Sequence, residues 1–215
     1  MICEKNAEAI AGVDIEFHKE NNCVVSWALK LLEAVFAQTC GKTVFCREGT
    51  LQMRKIIKDI SEGRGHSEDL DIIIELCKAI KEMADCELSK KAAMSILNSI
   101  DEYKDEWDAH IVRKRCPGLI CSRLVTFHIL GEKCSGCMQC LDKCPEQAIS
   151  GAKDMIHVID QDQCSRCGIC IDICSNVCGA IVKAGGVKPK TPDSPIPVGT
   201  WQAKGLGGLR KGLRK

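Results

Sequence analysis

Cys134, Cys137, Cys140 and Cys144 stand at the spacing C-x2-C-x2-C-x3-C with Pro145 next, and Cys164, Cys167, Cys170 and Cys174 repeat that spacing thirty positions on. Thiolates at these intervals suit a soft multi-iron centre: three close ligands wrap three irons of a cubane, and the fourth crosses to the other cluster of a pair. The pattern assigns Cys134, Cys137, Cys140 and Cys174 to one 4Fe-4S cluster and Cys164, Cys167, Cys170 and Cys144 to a second. Zinc ribbons, the competing chemistry, use CxxC pairs rather than two identical quartets. The second quartet ends C-S-N-V-C-G-A-I without a proline, so Cys178 competes with Cys174. Cys174 keeps the three-residue gap and is preferred, and Cys178 reads as a buried thiol packed near the cluster.

A second constellation is His110-x5-Cys116-x4-Cys121, joined by Cys23 at the start of a helical pattern. Two thiolates and a histidine, with a fourth ligand folding back, make a zinc-type donor set; the alternative is four ordinary half-buried side chains. Cys77 falls on an apolar helical face and reads as core, Cys3 as an exposed thiol in a loose N-terminus, and His66 as a turn residue in a glycine loop. The chain has 17 cysteines, an odd number in clustered CxxC spacings. That usage, the charged start Met1 to Ile10 and the lack of a bilayer-length apolar run point to a reducing cytoplasm and no membrane. No residue is assigned a catalytic role.

These ligands need elements to hold them. Val24, Trp27, Ala28, Leu31, Leu32 and Val35 share one face of a helix. Met53, Ile56, Ile57 and Ile60 repeat the period until Gly63 and Gly65. Ser67 followed by Glu68, Asp69 and Asp71 reads as a capped acidic first turn, leading into Leu70, Ile73, Ile74, Cys77 and Ile80. A fourth helix runs from Ser89 through Ile96, Ile100, Tyr103 and Trp107. Residues 22–110 are therefore expected as a four-helix bundle. A linker over 111–126 carries the zinc-type cysteines, and Leu124 to Leu130 alternates like a strand opening a small cluster domain over 127–184. Residues 1–21 form an N-terminal extension and 185–215 a flexible basic tail rich in Gly, Pro and Lys. The fold class is α+β. The net charge of +1 conceals eight Lys or Arg against one Asp in residues 183–215, a local +7 that leaves about −6 on the remainder. Without an aromatic platform, the run from Lys204 to Lys215 suits an acidic protein partner better than nucleic acid.

The two cysteine quartets are those of a bacterial-type two-cluster ferredoxin. The segments T-C-G-K-T-V-F-C-R-E-G-T (Thr39 to Thr50), G-R-G-H-S-E-D-L-D (Gly63 to Asp71) and Cys86-Glu87-Leu88 resemble the C-terminal iron-sulfur domain of the NADH-binding flavoprotein subunit of respiratory complex I. With D-E-W-D-A-H-I, R-C-P-G-L-I-C and the ferredoxin pattern, residues from about Cys23 to Ala184 resemble the C-terminal half of the B subunit of electron-bifurcating FeFe-hydrogenases. The resemblance implies a third cluster on Cys40, Cys46 and Cys86, but Thr43 stands where the family has its remaining cysteine. A threonine hydroxyl is a poor iron ligand beside a thiolate. The alternatives are a cluster with a substitute ligand, a smaller cluster, or helices kept as scaffold around three small thiols. The resemblance also implies a structural zinc on Cys23, His110, Cys116 and Cys121, clamping the ferredoxin to the helices.

No glycine-rich flavin or NADH-binding pattern accompanies these segments, so neither FMN nor NAD(P)H is expected on this chain. The expectation is an iron-sulfur wiring subunit of an anaerobic, hetero-oligomeric oxidoreductase. It would relay electrons between a flavoprotein NAD(P)H-oxidising subunit and an FeFe-hydrogenase, a formate dehydrogenase or ferredoxin. Two other readings are a zinc-dependent assembly or redox-sensing adaptor and a free ferredoxin carrier.

Overall fold

A computed structural model describes residues 14–18 and 22–202. Cys3, most of the expected N-terminal extension and the Lys204 to Lys215 run lie outside the described residues. The chain divides into two compact units between Val125 and Thr126.

The first unit contains α1 (Val24–Gln38), a π-helical turn (Phe45–Gly49), α2 (Thr50–Ser61), α3 (Asp69–Met83), α4 (Glu87–Glu102), α5 (Lys104–Ile111) and a 3-10 turn (Ser122–Leu124). α1 packs on α2 and α3 on α4. The faces read from the apolar period meet in a core where Leu31, Leu32, Met53, Ile57, Ile60, Ile73, Ile80, Ile96 and Trp107 are fully buried. Cys77 belongs to that core: its thiol lies 3.3 Å from Met53 Sδ, and burial pushes its pKa up to about 12. Residues 14–18 also pack on the helices, with Phe17 edge-on to Tyr103 at 4.7 Å and Asp14 O accepting from Trp27 Nε1 at 2.9 Å.

Three details differ from the sequence expectation. The fourth helix is two helices, because Tyr103, at φ −117° and ψ 36°, leaves helical geometry between α4 and α5. That break re-aims the short α5. Secondly, Ser67 is not the cap of α3: its hydroxyl bonds Glu68, and Asp69 Oδ2 instead accepts the amide of the turn residue His66 at 2.7 Å. Thirdly, α4 starts at Glu87, two residues before Ser89, with Cys86 at its N-cap position.

The second unit is built on short antiparallel pairs. β1 (Thr126–Ile129) pairs with β5 (Ile181–Ala184) in the register Thr126↔Ala184. β2 (Ile149–Ser150) pairs with β4 (Val158–Ile159), and β3 (Met155–Ile156) with β6 (Ile196–Pro197). Two short helices, α6 (Gln139–Asp142) and α7 (Ile169–Ser175), each follow a cysteine loop. The left-handed residues of those loops repeat at the cysteine interval: Gly136 and Arg166 at φ 68° and 62°, Met138 and Gly168 at 68° and 89°. Such kinks turn successive amides inward, a nest suited to an electron-rich centre. The expected flexible tail is corrected over 185–202. Residues 196–197 form β6 and Trp201 lies over Gly131, where an added Cβ would come within 2.5 Å of its ring. A two-residue strand ending in proline leaves no periodic signal, and one indole supplies the apolar area that composition did not suggest.

Candidate metal centres

In the first unit, Cys23, His110, Cys116 and Cys121 converge, with their ligand atoms within 4.8 Å of one another and all four side chains buried. Among the described residues this is the one such grouping of three or more Cys, His, Asp or Glu. Cys23 is the N-cap residue of α1, and the Ser26 amide donates to its sulfur at 3.4 Å, which fixes the side chain at the start of the helix. His110 sits in the last turn of α5 with Nδ1 2.8 Å from Glu106 O, which fixes the tautomer and leaves Nε2 facing the sulfurs, 3.2 Å from Cys23. The loop from Cys116 to Cys121 brings both thiols within 3.7 Å of Cys23, and the Cys121 amide donates to Cys116 Sγ at 3.4 Å. The cluster is not a disulfide, whose sulfurs stand about 2.0 Å apart.

The spacing matches a tetrahedral ion. Metal-sulfur bonds of about 2.3 Å put two sulfurs about 3.8 Å apart, and a nitrogen at about 2.0 Å stands about 3.5 Å from a sulfur. The charges agree. Burial opposes the His110 imidazolium, but hydrogen bonding with Cys116 and Cys23 and the Glu106 carbonyl hold its pKa up to about 10; hydrogen bonding with Cys121 and Cys23 pulls the Cys116 thiol below its ordinary range. A divalent cation at the centre of these four groups would favour their deprotonated forms, the forms that bind metal.

Two features missed in the sequence hold this site. Glu106 Oε1 accepts the Val24 amide at 3.0 Å while its carbonyl orients His110, so one residue ties α1 to α5 at the ligands. Gly118 passes against residue 22 so closely that a Cβ would lie 1.6 Å from Asn22 O and 3.2 Å from Cys23 Cβ. Pro117 and Gly118 are residues that break a helical pattern, but nothing in the sequence indicates this close approach.

In the second unit, the eight quartet cysteines form two neighbourhoods. The buried Cys140 thiol is raised to about 12, first by burial and then by Cys174, Cys134 and Cys137, with Cys170 beyond. Cys170 is raised to about 11 by burial and then by Cys164, Cys167 and Cys144. The fourth cysteine of each quartet is thus among the groups that act on the third cysteine of the other. Burial and neighbouring sulfurs oppose ionisation of Cys140 and Cys170, and positive charge beside them, such as iron would supply, would favour their thiolates. Cys144, Cys164, Cys167 and Cys170 also line one pocket of about 320 Å³, counting its open mouth, with Phe127, Pro145 and Ile149 on its apolar side. Cys137 and Cys167 are exposed, one per neighbourhood. The Ala180 amide donates to Cys174 Sγ at 3.2 Å, as expected for a thiolate ligand. Cys178 lies 3.6 Å from that sulfur but is half-exposed, not buried, because it follows α7 in an open turn.

Cys40, Cys46 and Cys86 are not drawn into a comparable cluster. Cys40 is half-exposed in the loop after α1, Cys46 is buried in the π-helical turn, and Cys86 is buried at the start of α4. Thr43 is engaged with the backbone: Oγ1 accepts the Cys46 amide at 3.4 Å, and its carbonyl accepts the Cys46 thiol at 3.3 Å. A hydroxyl in that role caps the first amides of a turn.

Comparison with known proteins gives the same division. The family described as the NADH-ubiquinone oxidoreductase-F iron-sulfur binding region matches residues 26–110, and a 4Fe-4S binding domain matches residues 128–150. The chain is 38% identical over 138 residues to NADP-reducing hydrogenase subunit HndC of Solidesulfovibrio fructosivorans, across 64% of this chain and 28% of that protein. It is 34% identical over 103 residues to the NADH-quinone oxidoreductase F protein of Mycobacterium tuberculosis, across 48% of this chain and 23% of the relative. A shorter match, 30% over 73 residues, is to NADP(+)-dependent formate dehydrogenase subunit beta of Moorella thermoacetica, across 34% of this chain and 10% of that protein. The chain therefore spans less than a third of each of these relatives. None of the described helices is long and apolar enough to cross a membrane.

Proposed function

We propose, from the premise that this chain carries the iron-sulfur binding region of the NADH-ubiquinone oxidoreductase-F family, that it is the iron-sulfur relay of a flavin-dependent oxidoreductase. It would make and break no substrate bond itself. Cys134, Cys137, Cys140 and Cys174 hold one 4Fe-4S cluster, and Cys164, Cys167, Cys170 and Cys144 the other; when bound, such clusters pass single electrons without bond rearrangement. The observation that supports this reading is the lining of one pocket by Cys144, the fourth cysteine of the first quartet, together with Cys164, Cys167 and Cys170 of the second. The protein's own part is to bury Cys140, Cys170 and Cys174, supply amides to sulfur, and leave Cys137 and Cys167 at the surface, where electrons leave most easily.

Cys23, His110, Cys116 and Cys121 hold a structural zinc: all four positions are taken by protein, so no site remains for substrate. The helical unit docks on a flavoprotein that oxidises NADH or NADPH, and the terminal partner is a hydrogenase, a formate dehydrogenase or ferredoxin in a cytoplasmic complex. Electron bifurcation belongs to that complex as a whole. The engagement of Thr43 favours a second reading for the helical unit alone, a docking scaffold without a third cluster. Anaerobic purification of the tagged chain from its own cells tests the assignment. A flavoprotein should come down with it, and NADH or NADPH should bleach the visible iron-sulfur absorption of the complex. A chain that purifies alone and is indifferent to both nucleotides contradicts the relay.

A further inference from the structure

His157 is the one histidine of the second unit that touches a cysteine in the hydrogen bonds described. Its ring is 1% exposed, and Nδ1 lies 3.6 Å from Cys134 Sγ, hydrogen-bonding distance for the larger sulfur atom. The placement is enforced from the other side: Gly151, at φ 152°, leaves so little room that an added Cβ would come within 2.3 Å of the His157 Cδ2 atom. Only glycine satisfies both the backbone angle and the ring.

The far nitrogen also carries information. His157 Nε2 is buried without a protein partner, and so is Gln161 Oε1. The orientation of Gln161 is fixed because its amide nitrogen meets two carbonyls, Phe127 O at 2.7 Å and Ile159 O at 3.2 Å. Its oxygen is therefore the free end. Both residues line the same pocket, of about 190 Å³ counting its open mouth, together with His128, Thr191 and Pro192. A water there has two acceptors to donate to, and buried orphan acceptors that share a polar cavity are where ordered water is found.

We infer that His157 is a positioning residue for the cluster ligand Cys134, held as its Nδ1–H tautomer by a buried water that donates to Nε2 and to Gln161 Oε1, so that its N–H is always presented to the sulfur. A hydrogen bond to a ligand sulfur favours the reduced, more negative centre and raises its potential. Gln161 thus sets the proton's place on a ring that in turn sets the potential of one cluster and not the other. The inference rests on the assignment of Cys134 as a ligand given above.

The test uses the full chain, purified without oxygen, in wild-type, His157→Phe, His157→Asn and Gln161→Leu forms. Iron is measured first: about eight per chain supports the ligand assignment, and its absence from the wild type removes that assignment before the inference is reached. With iron intact, an EPR-monitored redox titration should show one of the two reduction steps moved to more negative potential in His157→Phe, largely restored by the amide of His157→Asn, and moved partway in Gln161→Leu. If His157→Phe fails to assemble, the wild type decides. Protein labelled with 15N-histidine should show a hyperfine coupling from one ring nitrogen at one reduced cluster. Two unshifted steps with full iron, or no histidine coupling, overturn the inference.

Discussion

Replacing Gly118 with alanine tests whether the four-ligand centre is set by one close backbone approach. The new Cβ would lie 1.6 Å from Asn22 O, and ordinary contact begins near 3.4 Å, so the two segments must part by about 1.8 Å. Tetrahedral sites tolerate about 0.2 Å of error in ligand distance. The displacement falls on the segment that carries Cys23, whose own Cβ is 3.2 Å from the new methyl. Cys23 and the Cys116 to Cys121 loop cannot both keep their 3.7 Å sulfur contacts. Substitutions that only disturb the support of a ligand weaken zinc about 10 to 100-fold. Separating ligands should exceed that, a loss of more than about 100-fold or about 2.8 kcal/mol. The assay is zinc affinity by competition with a chromophoric chelator, with zinc and iron per chain measured on the same sample. Zinc should fall while iron stays unchanged, since Gly118 and all four ligands belong to the first unit. Wild-type zinc affinity in Gly118→Ala refutes the account of the site.

Glu106→Ala removes the carboxylate that accepts the Val24 amide. It should destabilise the first unit by about 1 to 2 kcal/mol, read by denaturant titration, and speed zinc release to chelator. Thr43→Cys puts a thiolate at the missing position of the family pattern. If Thr43 is what excludes a third cluster, iron per chain should rise by about four on anaerobic reconstitution; an unchanged count would show that the positions of Cys40, Cys46 and Cys86 are at fault instead. His128 is pushed below its ordinary pKa, chiefly by burial and further by Lys188, so the folded second unit prefers the neutral ring. The unfolded chain then binds a proton at about pH 6.5 that the folded one resists, so this contribution is harmless above that pH and costs stability as pH falls below it. A His128→Asn variant should lose less melting temperature than wild type between pH 7 and pH 5.5; equal losses would remove His128 as the cause.

The cysteine groupings of this chain are legible in the sequence because ligand spacing is local. A thirty-residue repeat of cysteines carries its own geometry, and the left-handed residues at 136, 138, 166 and 168 repeat with it. Cys23 was found only because helix α1 begins there; nothing local pairs it with residues 87 to 98 positions away. The helical faces were legible from their period, whereas the break at Tyr103 was not, since Ile100, Tyr103 and Trp107 keep the same stripe through it. Thr43 reads in the sequence as a replaced ligand, and in the structure its hydroxyl accepts the Cys46 amide. His157 gave no signal at all, because a single histidine beside a two-residue strand differs from a surface histidine only through Gly151 and Cys134, which the fold brings to it.

Iron and acid-labile sulfide per chain, on protein purified without oxygen, test the central claim most directly. The account predicts about eight of each from the second unit, with one zinc in addition. Two or more zincs with no sulfide would show that the eight cysteines are zinc ligands and that the chain carries no electrons.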